Sequence, residues 1–163
     1  MESKELKNII PIQSIWEDLD LLEDRLIEIS SSSDPYLTEI SQYLISAGGK
    51  RFRPLIALLA GKLGEGDNKK VIDAGVSVEL IHLGSLYHDD VIDDATTRRG
   101  VVSTNKQWNS TLAILAGDYL LARSSELAAE SLGLESVKLL ASTYAQLVEG
   151  QTREVQFSYD TNH

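Results

Sequence analysis

Three aspartates near the middle of the chain, Asp89, Asp90 and Asp93, lie within one short segment that otherwise has the character of a helix. Residues four positions apart lie on the same face of a helix, so Asp89 and Asp93 point in the same direction. Two carboxylates held this close repel each other unless a cation neutralises them. Mg²⁺ prefers hard oxygen ligands and often combines one or two carboxylates with substrate phosphates. The spacing therefore predicts a metal site that binds a phosphorylated substrate. The alternative is an acidic helix face that is simply exposed to solvent.

Two arginines, Arg98 and Arg99, follow the aspartates and are themselves followed by a glycine. Arginine has a planar guanidinium group that suits two-point contact with phosphate oxygens. The aspartates lie where a helix ends, against the negative pole of its dipole, and a bound cation would relieve that unfavourable placement. An acidic helix end followed by a basic loop fits a complex of metal and diphosphate. Simple ion pairs between the arginines and the aspartates are the alternative.

A second basic cluster occupies residues 48–54, with the sequence GGKRFRP, between two predicted helices. The glycines allow close backbone approach, and the cations can converge on one anion. Lys50 and Arg53 have the spacing best suited to turn inward together, and a surface turn with scattered charge is the alternative. His82 lies two helical turns before Asp89 and therefore on the same face. A purely structural histidine is the alternative there.

Helices must position these motifs, because no segment alternates between apolar and polar residues for more than a few positions. Val101-Val102 is too short and isolated to predict a strand, so the predicted class is all-α. The third helix is apolar almost all round and is expected to be buried. Residues 96–104 are expected to form a polar loop, and residues 158–163 a frayed tail. From apolar spacing, capping residues and glycine or proline breaks, the helices are predicted near 11–30, 35–47, 54–63, 69–94, 111–132 and 135–157.

The composition fits one helical domain over residues 1–163, with 42% hydrophobic and 25% charged residues. A net charge of -10 argues against a nucleic-acid partner, since the basic residues form only local clusters. The absence of cysteine excludes disulfides and thiolate chemistry. No secretory signal and no long apolar run is present, so a cytoplasmic protein is expected, with peripheral membrane contact through an apolar substrate as an additional option.

Together these motifs resemble those of the trans-isoprenyl diphosphate synthases, also called polyprenyl synthetases. Their order and spacing along nearly the whole chain carry the resemblance. The matching segments are GKRFRP at 49–54, ELIH at 79–82, HDDVIDD at 88–94, RRG at 98–100, AILAGDYL at 113–120 and EGQ at 149–151. The resemblance implies half of an isoprenoid-synthase helical bundle.

The family's chemistry implies that an allylic diphosphate ionises with the help of Mg²⁺, and that the double bond of isopentenyl diphosphate attacks the resulting cation. A proton is then lost, and water must be excluded because it would quench the cation. Carried over by position, Asp89 and Asp93 bind Mg²⁺ with Asp90 in support, and they carry catalysis together with Arg98, which holds the allylic diphosphate. The implied ligands of isopentenyl diphosphate are Lys50, Arg53, His82 and Arg99.

Product length is predicted from the residues one turn before Asp89, Gly84 and Ser85, which would line the path of the growing chain. Short-chain members of the family commonly have an aromatic residue there, so these small residues predict a medium or long product. Ile81, Val78 and Ser77 are predicted to lie deeper along the same path.

The chain departs from the family pattern because the second aspartate-rich motif and the downstream lysine-threonine pair are absent, and it has about half the family's usual length. Half a bundle would leave apolar faces uncovered, notably on residues 71–86 and 112–121. The first hypothesis is a subunit of a heteromeric prenyltransferase whose partner chain supplies the second motif. The others are a non-catalytic regulatory or diphosphate-binding remnant, and a truncated piece of an ordinary synthase. A terpene cyclase is the second reaction class, but the basic cluster at 48–54 favours chain elongation.

Overall fold

A computed structural model describes residues 3–64 and 66–157. Helices dominate it, as the sequence predicts, while the predicted frayed tail at 158–163 lies outside the described residues. The helices are α1 (Ser3–Ile9), α2 (Gln13–Ser30), α3 (Pro35–Ser46), α4 (Phe52–Gly61), α5 (Asn68–Ile92), α6 (Thr104–Gln107), α7 (Ser110–Leu127) and α8 (Leu134–Phe157), with a π-helix at Ala128–Leu132 between the last two.

Side-chain caps fix the starts of three long helices. The carboxylate of Asp34 accepts a hydrogen bond from the backbone N–H of Tyr36 at 2.9 Å, ahead of a proline at the first helical position. Asp67 accepts in the same way from Lys69 at 3.0 Å. The helix predicted to begin near residue 111 begins at Ser110, because the side chain of Asn109 caps it by accepting a hydrogen bond from the backbone N–H of Leu112 at 2.9 Å.

Helix α5 forms the centre of the fold. It packs against α2, α4 and α7, and Val76, Leu80, Leu83 and Tyr87 are completely buried. Three helices therefore cover most of the apolar residues 71–86, which were expected to remain uncovered, whereas Val78 and Ile81 are half-buried and border a cavity. Apolar side chains are exposed instead on α8, which has no buried residue, and at two positions of α7, Ile114 and Leu115.

Helix α4 is less buried than its sequence predicts. Leu55 and Leu58 lie in the core, whereas Ile56 is 50% exposed. The helix begins at Phe52, so Pro54 falls within the first turn, where the missing N–H of proline breaks no helical hydrogen bond. Only one face of this apolar helix has helices to pack against.

A short hairpin interrupts the loop after α5. Strand β1 (Thr97–Arg98) pairs antiparallel with strand β2 (Val101–Val102), so the expectation that Val101-Val102 forms no strand is wrong in this detail. The two turn residues both have positive φ, 52° at Arg99 and 81° at Gly100. A two-residue turn of this kind matches the twist of the strands it joins. The hairpin is a local feature of an otherwise helical fold.

Two glycines let α5 and α7 approach closely. A Cβ atom added to Gly84 would lie 2.9 Å from the carbonyl oxygen of Gly117. A Cβ atom added to Gly117 would lie 2.4 Å from Nε2 of His88. Any side chain at either position would therefore push the helices apart. Within the described residues, no helix has the length and apolar character needed to span a membrane.

Candidate functional site

The acidic motif lies at the C-terminal end of α5, as the sequence predicts. Asp89 is half-buried in the last turn, and Asp93 is exposed just beyond it, donating its backbone N–H to the carbonyl of Asp89 at 2.8 Å. Burial raises the pKa of Asp89, and the carboxylate of Asp93 raises it further. The two carboxylates therefore repel each other in the folded chain, a repulsion that a divalent cation would remove.

The donor set suits Mg²⁺ only in combination with other ligands. Across the described residues, no group of three or more His, Cys, Asp or Glu side chains could by itself hold a metal ion. Asp89 and Asp93 supply two hard oxygen donors, and Mg²⁺ usually takes one or two carboxylates and completes its shell with water and substrate phosphate. The arrangement fits a metal that binds together with a phosphorylated ligand.

Asp90 lies on a different side of α5 from this acidic pair. Its carboxylate is completely buried and accepts a hydrogen bond from Nε of Arg98 at 2.7 Å. Nη2 of Arg98 lies 2.6 Å from the same oxygen. Its other oxygen is buried with no hydrogen-bond partner in the described part of the chain. Asp90 thus holds Arg98, and its direct support of a metal stays a prediction.

The turn of the hairpin places Arg99 against α3. Nη1 of Arg99 donates to the backbone carbonyl of Leu44 at 3.0 Å and also to that of Gly48. Its Nη2 lies 3.7 Å from the buried carboxylate of Glu79. Burial lowers the pKa of Arg99, and the neighbouring Arg51 lowers it further. Two guanidinium groups therefore share this small region with one carboxylate between them.

The residue of the basic cluster that turns inward is Arg51, whereas Lys50 and Arg53 are both exposed. The prediction that Lys50 and Arg53 turn inward together is therefore wrong. Arg51 adopts a left-handed conformation with φ of 45°, which directs its side chain into the fold. There it binds both carboxylate oxygens of Glu23, with Nη2 3.0 Å from Oε2.

Arg51 also reaches the backbone and the long central helix. Its Nη2 donates to the carbonyl of Ile45 at 3.1 Å, and its Nη1 lies 3.4 Å from Glu79. A Cβ atom at Gly49 would lie 2.9 Å from Nη1 of both Arg51 and Arg99, so only glycine leaves room for the two guanidinium groups. Sequence reasoning missed Arg51 as a site residue, because Lys50 is the residue that directly follows the two glycines and nothing local distinguishes Arg51 from the other cations of the cluster.

His82 faces a strongly positive environment. Burial first, and then the charges of four arginines at positions 53, 99, 51 and 98, together lower its pKa from 6.5 to about 4. His82 is therefore neutral at physiological pH and can donate or accept a hydrogen bond without adding charge. Glu79 is a single carboxyl among these arginines, and burial raises its pKa although the arginines oppose that shift. The predicted residues Arg53, His82, Arg98 and Arg99 thus share one positive region suited to an anion.

Two cavities lie along the same side of α5. The larger, about 620 Å³, extends from Asp89 between α5 and α8, and the smaller, about 330 Å³, extends from Arg53 and His82. Both are bordered by Ser85, Tyr144 and Leu147, and their walls are mainly apolar. An apolar cleft therefore runs along α5 from the acidic pair. Sequence reasoning missed Tyr144 because the α8 wall lies more than 50 positions along the chain.

Three of the five residues predicted to line this path do so, namely Ser85, Ile81 and Val78. Gly84 instead faces α7 and packs on Gly117. Ser77 is completely buried, with its hydroxyl donating to the carbonyl of Asp73 at 2.8 Å. These two predictions are wrong, because consecutive helix positions point about 100° apart, and Gly84 and Ser77 fall on the side of α5 that packs against α7.

The chain is similar in sequence to several known proteins. A sequence model of the family described as polyprenyl synthetase matches residues 34–163. A nonaprenyl diphosphate synthase of Mycobacterium tuberculosis is 50% identical over 125 residues, which make up 76% of this chain and 37% of that protein. Component 2 of the heptaprenyl diphosphate synthase of Bacillus subtilis is 36% identical over 144 residues, 88% of this chain and 41% of that protein.

A solved structure shows the same fold. The polyprenyl synthase from Caulobacter crescentus, crystallised in complex with calcium and isoprenyl diphosphate, superposes with a TM-score of 0.87 at 31% identity. The match covers 92% of this chain and 46% of that one. The chain thus spans less than half the length of these three relatives. The all-α fold expected from the sequence, half of an isoprenoid-synthase bundle, is confirmed.

Proposed function

This chain belongs to the polyprenyl synthetase family, and on that premise we propose that it takes part in a Mg²⁺-dependent condensation of an allylic diphosphate with isopentenyl diphosphate. One observation carries the proposal. The acidic pair Asp89 and Asp93 lies beside a positive region that includes Arg53, His82 and Arg98, and an apolar cleft leads away from both. A diphosphate with a growing hydrocarbon tail requires these three surroundings together.

We assign the metal-binding role to Asp89 and Asp93. Their exposed oxygens can face a diphosphate, whereas Asp90 is buried and engaged by Arg98. A Mg²⁺ ion held there would stabilise the negative charge that develops on the leaving diphosphate. Arg98 adds positive charge on the same side, held in one orientation by Asp90, and is therefore assigned to the allylic diphosphate.

The second diphosphate is assigned to the positive region around His82. Arg53 borders the smaller cavity together with His82, and Arg99 contributes positive charge to the same region. Lys50 is exposed and lies three residues before Arg53 in the sequence. We expect its side chain to move toward the anion when the anion binds. Neutral His82 would donate one hydrogen bond to this isopentenyl diphosphate.

The cleft supports a medium or long polyprenyl product. Ser85 borders both cavities, so no large side chain on α5 closes the path one turn before Asp89. Val78 and Ile81 extend the apolar wall two further turns along the helix. Because the wall is mainly apolar, it would keep water away from a cationic intermediate.

We further propose that a partner chain supplies the second aspartate-rich motif across the cleft. The relative from Bacillus subtilis is described as component 2 of its synthase, which supports a multi-component enzyme. The apolar side chains exposed on α8, such as Leu147, Val148 and Val155, offer a surface against which further helices can pack.

The test combines this chain with a C-terminal half of a family member that carries the second motif. Consumption of labelled isopentenyl diphosphate is measured with Mg²⁺ and an allylic primer. Activity only on mixing supports the proposal, and strong activity of this chain alone overturns the need for a partner. Diphosphate binding without activity in any combination supports the regulatory reading instead.

A further inference from the structure

The hairpin that carries Arg98 and Arg99 is too short to hold its own shape. Each strand has only two residues, and even longer isolated hairpins are marginal in water. Its base is closed by Ser103, whose hydroxyl donates to the carbonyl of Ala95 at 2.5 Å. The orientation of the two guanidinium groups therefore depends on contacts from outside the hairpin.

Tyr43 of α3 makes such a contact. Its hydroxyl donates to the backbone carbonyl of Val102 at 2.9 Å. Its ring packs edge-on against Trp108, with ring centroids 5.0 Å apart and an interplanar angle of 89°. Val102 pairs with Thr97, the residue directly before Arg98. Tyr43 thus fixes the strand that lies opposite the first arginine.

This contact differs from the other link between α3 and the hairpin. Arg99 reaches the carbonyl of Leu44 with its own guanidinium group, so that link involves a residue of the site itself. Tyr43 lies outside the positive region and borders neither cavity along α5. Removing its hydroxyl therefore breaks the hydrogen bond to the hairpin and leaves every proposed ligand of the diphosphate in place.

We infer that Tyr43 is a positioning residue, which holds the arginine hairpin in register so that Arg98 and Arg99 present their charges to bound diphosphate. This inference rests on the proposed function, since it assigns the hairpin to diphosphate binding. The residue acts through the hairpin, and it contacts neither substrate nor metal.

The test compares Tyr43→Phe with Tyr119→Phe. Both variants keep the aromatic ring and lose one phenol-to-carbonyl hydrogen bond, and the hydroxyl of Tyr119 bonds the carbonyl of Ser31 at 2.5 Å, away from the hairpin. Calorimetry measures the binding of inorganic diphosphate with Mg²⁺. We expect about a three- to tenfold loss of affinity for Tyr43→Phe, the range set by one hydrogen bond, and affinity within twofold of wild type for Tyr119→Phe.

A double-mutant cycle with Arg98→Gln separates positioning from general loss of structure. If Tyr43 acts through the hairpin, the effect of Tyr43→Phe on affinity shrinks in the Arg98→Gln background, where only Arg99 remains to be positioned. In the enzyme complemented with a second half, Tyr43→Phe should raise the KM for the allylic diphosphate by the same factor while kcat stays within twofold.

Three results overturn the inference. The affinity of Tyr43→Phe equals that of wild type, or the two tyrosine variants lose the same affinity, or the effect of Tyr43→Phe persists undiminished without Arg98. A wild-type chain that binds no diphosphate overturns the proposed function as well. Because that outcome is seen in the wild-type titration alone, the two failures are distinguishable.

Discussion

Arg98 directs both its Nε and its Nη2 toward one oxygen of the buried carboxylate of Asp90, at 2.7 Å and 2.6 Å. This pair joins the end of α5 to the arginine hairpin. The second aspartate of the motif therefore serves the arginine, while the first and last aspartates remain open to a metal. Three neighbouring acidic residues thus have two different tasks, and variants can separate them.

Asp90→Ala should destabilise the chain, whereas Asp93→Ala should not. Removing the buried carboxylate leaves Arg98 without its partner, and we expect the free energy of unfolding to fall by about 2–3 kcal/mol. Asp93 is exposed, so its removal should change that free energy by less than about 0.5 kcal/mol. Urea denaturation followed by circular dichroism measures both. Equal stability of the two variants would contradict the assignment of separate tasks.

The double variant Asp89→Asn/Asp93→Asn should lose Mg²⁺-dependent binding of inorganic diphosphate, because no carboxylate pair remains to hold the ion. Asp20→Asn/Asp24→Asn is the matched control. Asp20 and Asp24 form an exposed pair with the same spacing on α2, so this control removes equal charge. Titration calorimetry with and without Mg²⁺ checks the result. Binding that survives in the first double variant would place the metal elsewhere.

Ser85→Phe should shorten the product made by the complemented enzyme. Ser85 borders both cavities along α5, so an aromatic ring there would block the path between them. Chromatography of the labelled products measures chain length, and Ser85→Ala, which leaves the path open, is the control. An unchanged range of products in Ser85→Phe would show that the chain does not grow along this cleft.

Gly117→Ala should destabilise the protein, although alanine favours helices over glycine by about 1 kcal/mol. Its Cβ would displace the ring of His88 and would lie 3.1 Å from the carbonyl oxygen of Gly84, so α5 and α7 must also separate slightly, at a total cost of about 1–3 kcal/mol. Gly150→Ala is the control, since nothing lies within 4 Å of its added Cβ and stability should rise. Thermal unfolding of both variants is the measurement. If Gly117→Ala were as stable as the control, α5 and α7 would not be tightly packed at Gly117.

The stability of the fold should depend on pH through His82. Its pKa is lowered from 6.5 to about 4, by burial first and then by Arg53 and Arg99, so the unfolded chain takes up the proton at higher pH than the folded one. The stability contributed by neutral His82 is complete above pH 6.5 and is lost as the pH falls toward 4.

A His82→Gln variant tests this dependence. The difference in unfolding free energy between wild type and variant should shrink, on the order of 1 kcal/mol, as the pH falls from 7 to 4, because only the wild type has an imidazole to protonate. Urea denaturation across that pH range measures the difference. A constant difference would mean that His82 titrates normally in the folded chain.

Much of the helical order could be predicted because its signals are local. Asp34 and Asp67 cap the helices that they precede, and the glycines at 48 and 49 end α3 as expected. Arg51 could not be chosen over Lys50 and Arg53 in the same way. Its inward direction depends on Glu23 and Glu79, each 28 positions away along the chain. Local spacing cannot reveal a partner that only folding brings near.

By itself, the sequence determined the all-α class, the order of the six longer helices and the presence of the acidic and basic motifs, because each depends on residue types within a few helical turns; the short helices α1 and α6 were not predicted. Only the tertiary structure decided which member of each motif faces which neighbour. It paired Asp90 with Arg98, placed Gly84 against α7 and brought Tyr144 to the cleft, because the elements around α5 give each of its faces a different environment.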